Sequence, residues 1–171
     1  TLIVNSTNND INSSIVIELD NNNILVVYID GNGTLLRYKI YSNDLSSVTV
    51  AETTIYTSTG MQGVIGAKNR NNGKIFIAVS QSGVGKAFVS TANTATAWSS
   101  VIDISTISGS YLYASYFTVG SLNDGRWFIM YGLNGYDSHM NILDRPSMWF
   151  STNDAGTSWV KQSTFYSQNT G

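Results

Sequence analysis

Cysteine is absent from this 171-residue sequence, proline occurs once, and only 12% of the residues are charged. Without cysteine there is no disulfide framework, and the redox compartment cannot be read from the sequence. No apolar run approaches the eighteen or so residues that a membrane-spanning helix needs. The nine Lys and Arg residues are scattered and the net charge is -2, whereas a nucleic-acid-binding surface concentrates positive charge. The composition therefore argues against membrane insertion and against a nucleic-acid partner.

The polar surface is supplied by Asn, Ser, Thr, Gly and Tyr instead of by Lys and Glu. Such a neutral polar coat favours an extracellular or virion setting, because intracellular proteins usually stay soluble through mixed charge. Hydrophobic residues make up 42% of the chain, enough for the core of one ordinary domain. The chain begins at Thr1 without a methionine or a signal peptide, so we expect a processed or excised piece.

Strand signals dominate the sequence and helix signals are nearly absent. Three hairpins are predicted, with second strands that begin at Ile24, Ile75 and Trp127. These starts are 75 − 24 = 51 and 127 − 75 = 52 residues apart. A fixed period in this range indicates a repeat architecture such as a propeller.

Each predicted hairpin is followed by a third strand and a fourth strand. The third strands are expected at 35–41, 87–90 and 148–151, and the fourth near 48–50, 98–102 and 159–162. We therefore predict an all-β fold of three tandem four-stranded antiparallel blades of β-propeller type, with a β-sandwich as the alternative. The repeats are expected at about 11–56, 57–104 and 105–162, with a flanking strand in 1–10 and a tail in 163–171.

A short motif between the third and fourth strands of the last repeat names a family. Its residues are Thr152, Asp154, Gly156, Ser158 and Trp159. They resemble the Asp-box, or bacterial neuraminidase repeat, Ser/Thr-x-Asp-x-Gly-x-Thr/Ser-Trp, found in sialidase-like propellers. We expect Asp154 to accept backbone N–H bonds across a tight turn, Gly156 to supply a positive φ, and Trp159 to pack between blades.

A decayed copy of the motif lies 61 residues earlier, at Thr91, Asn93 and Trp98. The first repeat keeps only traces, with Val48 in the Trp position. The resemblance implies that these boxes are structural and lie on the face opposite the binding site.

Catalytic residues cannot be carried over from the sialidases. That family uses an arginine triad, a Tyr nucleophile activated by Glu, an Asp acid/base and an Arg-Ile-Pro motif, and this sequence lacks the last. Glu18 and Glu52 are expected at exposed positions. Arg70 and Arg126 adjoin hairpin turns on the face of the boxes. The sequence indicates no metal site and no cofactor.

Three loops should share the functional face, at 30–34, 81–86 and 132–147, and the third is much the longest. Long loops on rigid scaffolds often carry recognition. The third loop offers stacking, hydrogen-bonding and charged groups, at Tyr136, Asp137, His139, Asn141, Asp144 and Arg145. The competing interpretation, weighted equally, is that this loop only covers the core or seals a subunit contact.

We therefore predict a non-catalytic recognition or adhesion module with a glycan or glycoprotein surface as partner. One alternative is a fragment of a sialidase-like glycoside hydrolase whose catalytic residues lie outside this stretch. Another is a structural assembly or decoration protein. Three blades do not obviously close a ring, so we expect further blades in a longer chain or a homo-oligomer.

Overall fold

A computed structural model describes residues 13–30, 32–82, 84–104, 117–131 and 147–161. These residues form twelve β-strands in three four-stranded antiparallel sheets. The first sheet contains β1 (Ser13–Glu18), β2 (Ile24–Asp30), β3 (Leu35–Tyr41) and β4 (Val48–Thr57). The second contains β5 (Met61–Lys68), β6 (Ile75–Gln81), β7 (Val84–Val89) and β8 (Ile102–Asp103). The third contains β9 (Phe117–Ser121), β10 (Trp127–Tyr131), β11 (Ser147–Ser151) and β12 (Trp159–Lys161).

Every sheet is a meander in which each strand pairs with the next one along the chain. The first turn of each sheet is closed by a backbone hydrogen bond, from Leu19 N–H to Asn23, from Asn69 N–H to Lys74, and from Leu122 N–H to Arg126. Positive φ angles at Asn22, Gly73 and Gly125 allow these tight reversals. The second strands begin where the sequence placed them, so the predicted period is confirmed.

The three sheets pack face to face in chain order. The core between the first and second sheets includes Leu25, Val27 and Ile29 from one and Ile75, Ile77 and Val79 from the other. The core between the second and third sheets includes Phe76, Ala78, Trp127 and Ile129. The middle sheet is thus covered on both faces, as a propeller blade is and as a sheet of a two-layer sandwich is not. The fold is therefore three tandem blades of propeller type.

The second strand of the middle sheet packs against both neighbouring sheets because both of its faces are buried. Consecutive side chains point to opposite faces of a strand, and Ile75 to Val79 are all fully buried. A continuous run of apolar, mostly β-branched and aromatic residues can therefore pack against both neighbouring sheets at once. The described residues include no helix long and apolar enough to cross a membrane.

The fourth strand of the second sheet is shorter than predicted. Trp98 makes only an isolated bridge with Ser90, and the regular strand is Ile102–Asp103. Between them the Ser99 side chain accepts the N–H of Val89 at 3.0 Å. Because a side chain takes this backbone partner, the regular ladder stops there.

Candidate functional site

The meander divides the loops between two ends of the sheets. The first and third turns of each sheet lie at one end, here called the turn end; its third turns are residues 42–47, 91–97 and 152–158. The connections between second and third strands lie at the opposite end, here called the loop end. These connections are residues 31–34, 82–83 and 132–146.

At the turn end, the turn from β11 to β12 holds the motif residues in a closed loop. Thr152 N–H donates to Ser158 O at 2.8 Å, and Gly156 has φ +66°. The Trp159 indole N–H donates back to Gly156 O at 2.8 Å. The buried Ser151 hydroxyl donates to Asn153 O at 2.7 Å. Gly156 therefore has the positive φ of this turn, and the Trp159 indole closes back on the same turn.

The turn from β7 to β8 repeats this geometry. Thr91 N–H donates to Ala97 O at 2.9 Å, and Ala95 takes the positive φ of +53° that Gly156 takes in the third sheet. The Ser90 hydroxyl donates to Ala92 O at 2.8 Å. Trp98 bridges Ser90 as Trp159 pairs with Ser151. The two segments, 90–98 and 151–159, are the same structural unit although five of their nine residues differ.

Both tryptophans pack against the preceding sheet. Trp98 meets Tyr38 edge-on at 5.9 Å between ring centroids, and Trp159 meets Phe76 at 6.1 Å. Edge-to-face geometry at this separation is favourable. In the first sheet Val48 pairs with Tyr41 at the same position, as the sequence predicted.

The role predicted for Asp154 needs correction. Within the described residues it is Asn153 Oδ1 that accepts the backbone N–H of Thr157, at 3.2 Å. Asp154 instead accepts from Asn72 Nδ2 at 2.8 Å and from Lys74 Nζ at 2.7 Å, both in or beside the first turn of the second sheet. The physical reason is position: the carboxylate of residue 154 points away from its own turn and across the boundary between sheets.

The matching Asn93 also lies beside that turn, because a Cβ added at Gly73 would come within 2.7 Å of Asn93 Cβ. Farther along, Asn69 Nδ2 donates to Gly125 O at 2.6 Å and so ties the second sheet to the third. Arg70 and Arg126 lie at this end, as predicted, and Arg126 pairs with Asp124 at 2.7 Å. Several polar groups at the turn end therefore hold neighbouring sheets together.

At the loop end, the first two sheets are joined by hydrogen bonds from the backbone and from neutral side chains. Met61 N–H donates to Gly33 O and Ser82 N–H donates to Gly60 O. The Tyr56 hydroxyl donates to Gln81 Oε1 at 3.1 Å, while Gln81 Nε2 donates to Ser58 Oγ. These hydrogen bonds lie at the same end of the sheets as the strand ends of β10 and β11 that the longest connection joins.

The six predicted ligand-binding residues all belong to that connection, residues 132–146, and lie outside the described residues. Their assignment stays a prediction. What the strand ends establish is which end of the sheets the connection joins.

An ionic cluster on the first sheet escaped the sequence prediction. Glu52, expected to be exposed, is half-buried and accepts from both the Tyr28 hydroxyl and Arg37 Nη1. Lys39 Nζ lies 3.2 Å from Glu52 Oε2, and Arg37 Nε lies 3.1 Å from Asp30 Oδ2. Pairing irregularities between β3 and β4 shift the register near Glu52. Simple alternation along the strand therefore could not locate this side chain.

The electrostatics of this cluster suit a structural role. Burial raises the pKa of Glu52, but hydrogen bonds from Tyr28, Lys39 and Arg37 outweigh it and leave that pKa below its ordinary value. Burial, followed by the hydrogen bond to Glu52, raises the pKa of the Tyr28 phenol far above its ordinary value. Tyr28 has no exposed surface. A tyrosine and a glutamate do meet, but this phenol is neither ionised nor within reach of a substrate. Among the described residues, no group of three or more His, Cys, Asp or Glu could hold a metal ion.

The fold is thus an array of three propeller-type blades, and the contacts at its turn end have a structural role. No family model matches the chain, and no curated protein matches it. Among solved structures it is similar to an exo-β-1,3-galactanase from Phanerochaete chrysosporium, crystallised with β-1,3-galactotriose, at 14% identity and a TM-score of 0.48. The match covers 90% of this chain and 40% of that one. At this level of likeness it assigns neither a family nor an activity.

Proposed function

We propose that this chain is a non-catalytic recognition or adhesion module that binds a glycan or a glycoprotein surface through residues 132–146. The observation that carries the proposal is the location of this connection. It joins β10 to β11 at the loop end, whereas several polar groups of the turn end, Asn69, Asn72 and Asp154 among them, bond across sheets. A long segment on a rigid sheet scaffold is suited to recognition.

The residue types of this segment support a sugar ligand. Tyr136 and His139 supply flat faces for stacking, Asn141 supplies an amide, and Asp137, Asp144 and Arg145 supply charged hydrogen-bonding groups. The low charge of the chain supports an extracellular or virion-surface setting. We further propose that residues 91–98 and 152–159 are diverged Asp-box repeats, on the basis of their shared turn geometry.

Glycan-array binding by the purified chain tests the proposal. We expect specific binding in the wild type and at least a tenfold loss of affinity in Tyr136→Ala and in His139→Ala. Thr94→Ala is the matched control, because Thr94 is an exposed polar residue at the turn end, and it should bind as the wild type does. Circular dichroism of each variant checks the fold.

A lack of binding to every glycan would overturn the proposal and favour a structural assembly protein. Release of sugar from a bound oligosaccharide would instead favour the glycoside hydrolase alternative. Binding that survives both loop substitutions would place the site elsewhere on the chain.

A further inference from the structure

Charged side chains are divided unevenly between the two ends of the sheets. The turns of the turn end contain seven of them: Asp20, Asp44, Arg70, Lys74, Asp124, Arg126 and Asp154. The loop end has five connections, because residues 58–60 and 104–116 join one sheet to the next at that end as well. Four of the five contain no charged residue, and the fifth is 132–146. The two ends therefore offer different chemistry to a ligand.

The described surface of the loop end consists of neutral hydrogen-bonding groups. Thr57, Thr59 and Gln62 are exposed. In the bonds among the described residues, the amide nitrogen of Gln81 donates one hydrogen, to Ser58 Oγ, and keeps a second. Amide and hydroxyl groups can both donate to and accept from the hydroxyls of a sugar. This surface is therefore suited to a ligand that hydrogen-bonds without carrying charge.

The cations on the strands that approach this surface are already paired. Asp30, at the end of β2, is 7% exposed, and Arg37 Nε lies 3.1 Å from its carboxylate. The Arg37 guanidinium is bonded to Glu52 as well. On β7, Lys86 Nζ lies 2.6 Å from the Asp103 carboxylate. Neither Arg37 nor Lys86 is therefore a free cation for an anionic ligand.

The charges of residues 132–146 do not favour an anion either. Asp137 and Asp144 outnumber Arg145, so the net charge of this connection is 1 − 2 = −1 with His139 neutral. Anionic sugars carry a carboxylate or a sulfate, and proteins hold such groups with arginine or lysine side chains. An anion brought to this end would lose hydration and would meet two carboxylates for each cation.

We propose that the ligand of the loop end is an uncharged saccharide, recognised through its hydroxyl groups, and that sialylated, sulfated and uronic-acid glycans are excluded. This inference rests on the proposed function and adds the chemical class of the ligand. It is carried by the absence of charge from every loop-end connection except 132–146, whose own balance is negative. Specificity of this kind comes from repulsion of the wrong ligand as well as from contacts with the right one.

Titration of the purified chain with matched pairs of glycans tests this inference. The members of a pair share their sugars and differ only in one sialic acid or sulfate group. We expect the neutral member to bind about tenfold more tightly, because like charges repel the acidic member. The affinity for the neutral member should not change when NaCl is raised from about 0.05 M to about 0.5 M, since salt has no ionic attraction to screen.

A double variant, Asp137→Asn with Asp144→Asn, tests the electrostatic cause. It changes the net charge of residues 132–146 from −1 to −1 + 2 = +1, so the preference for the neutral member should shrink about fivefold. Asp20→Asn with Asp124→Asn is the matched control. It makes the same change of charge at two exposed positions of the turn end, and it should keep the preference of the wild type. Circular dichroism checks the fold of both variants.

The outcomes separate this inference from the function on which it rests. Tighter binding of the acidic members by the wild type would overturn the inference and leave the proposed function standing. An equal loss of preference in both double variants would also overturn it, because the charge of the whole chain would then be the cause. A failure to bind either member of any pair would overturn the proposed function itself.

Discussion

The backbone N–H of Trp127 donates to the hydroxyl oxygen of Ser151 at 2.7 Å, and neither residue has any exposed surface. The same hydroxyl donates to Asn153 O at 2.7 Å, so one buried side chain ties the start of β10 to the turn after β11. In the second sheet the Ser90 hydroxyl accepts from Ile75 N–H at 2.8 Å and donates to Ala92 O. The serine just before each of these two turns therefore makes the same pair of hydrogen bonds in both sheets.

Ser151→Ala and Ser90→Ala should each lower the free energy of unfolding by about 1–3 kcal/mol, because each leaves a buried backbone N–H without its acceptor. Urea unfolding followed by circular dichroism measures this. Ser100→Ala is the control, since Ser100 is exposed, and should change stability by less than about 0.5 kcal/mol. Equal effects in all three variants would contradict the assigned role.

The sequence predicted most of the fold because apolar second strands and turns rich in Asn and Gly recur at a fixed period. Residues 24–29 and 75–79 show this as uninterrupted apolar runs. The buried serines were missed because a serine beside a turn is ordinary in sequence. Only the aligned positions of Ser90 and Ser151 could have signalled them.

Side-chain direction explains the other errors. The motif predicted Asp154 as the acceptor within its turn. The neighbouring Asn153 is that acceptor instead, and Asp154 accepts a hydrogen bond from the second sheet. Glu52 was misplaced because the shifted register of β4 breaks the alternation on which strand predictions depend. Long-range contacts of this kind leave no local pattern.

The two motif tryptophans should respond differently to phenylalanine. Trp159 Nε1 donates to Gly156 O, whereas Trp98 Nε1 is buried without a hydrogen-bond partner among the residues that the structure describes. Trp159→Phe should therefore cost about 1 kcal/mol more than Trp98→Phe, with the loss of ring volume common to both. Urea unfolding gives both values. If Trp98→Phe were the more costly variant, this account of the indole N–H groups would be wrong.

Acid should weaken the protein through Glu52. Its pKa is lowered in the folded state from an ordinary 4.5, so its stabilising contribution is present above that pH and is lost as the pH falls through the folded value. We expect the urea concentration at the unfolding midpoint of the wild type to decrease when the pH is lowered below 4.5. Glu52→Gln should be less stable at pH 7 and should show a shallower drop.

Some acid sensitivity should remain in Glu52→Gln. Hydrogen bonds from the Ser42 hydroxyl and from Ser46 lower the pKa of Asp44 to about 2, from an ordinary 3.8. An Asp44→Asn variant separates this second contribution, which acts between those two pH values. Parallel stability curves for the wild type and Glu52→Gln would contradict the coupling assigned to Glu52.

The Tyr28 phenol should ionise at a higher pH than an ordinary tyrosine does. Its pKa is raised above the ordinary 10.0, first by burial and then by the hydrogen bond to Glu52. A raised pKa means that the stabilising contribution is complete below pH 10 and is lost as the pH rises through the folded value. In a titration followed at the absorbance of phenolate, Tyr28→Phe should remove one late-ionising group while the earlier part of the curve is unchanged. If the substitution removed an early-ionising group instead, Tyr28 would be accessible to solvent. That result would contradict the structural role assigned to the cluster.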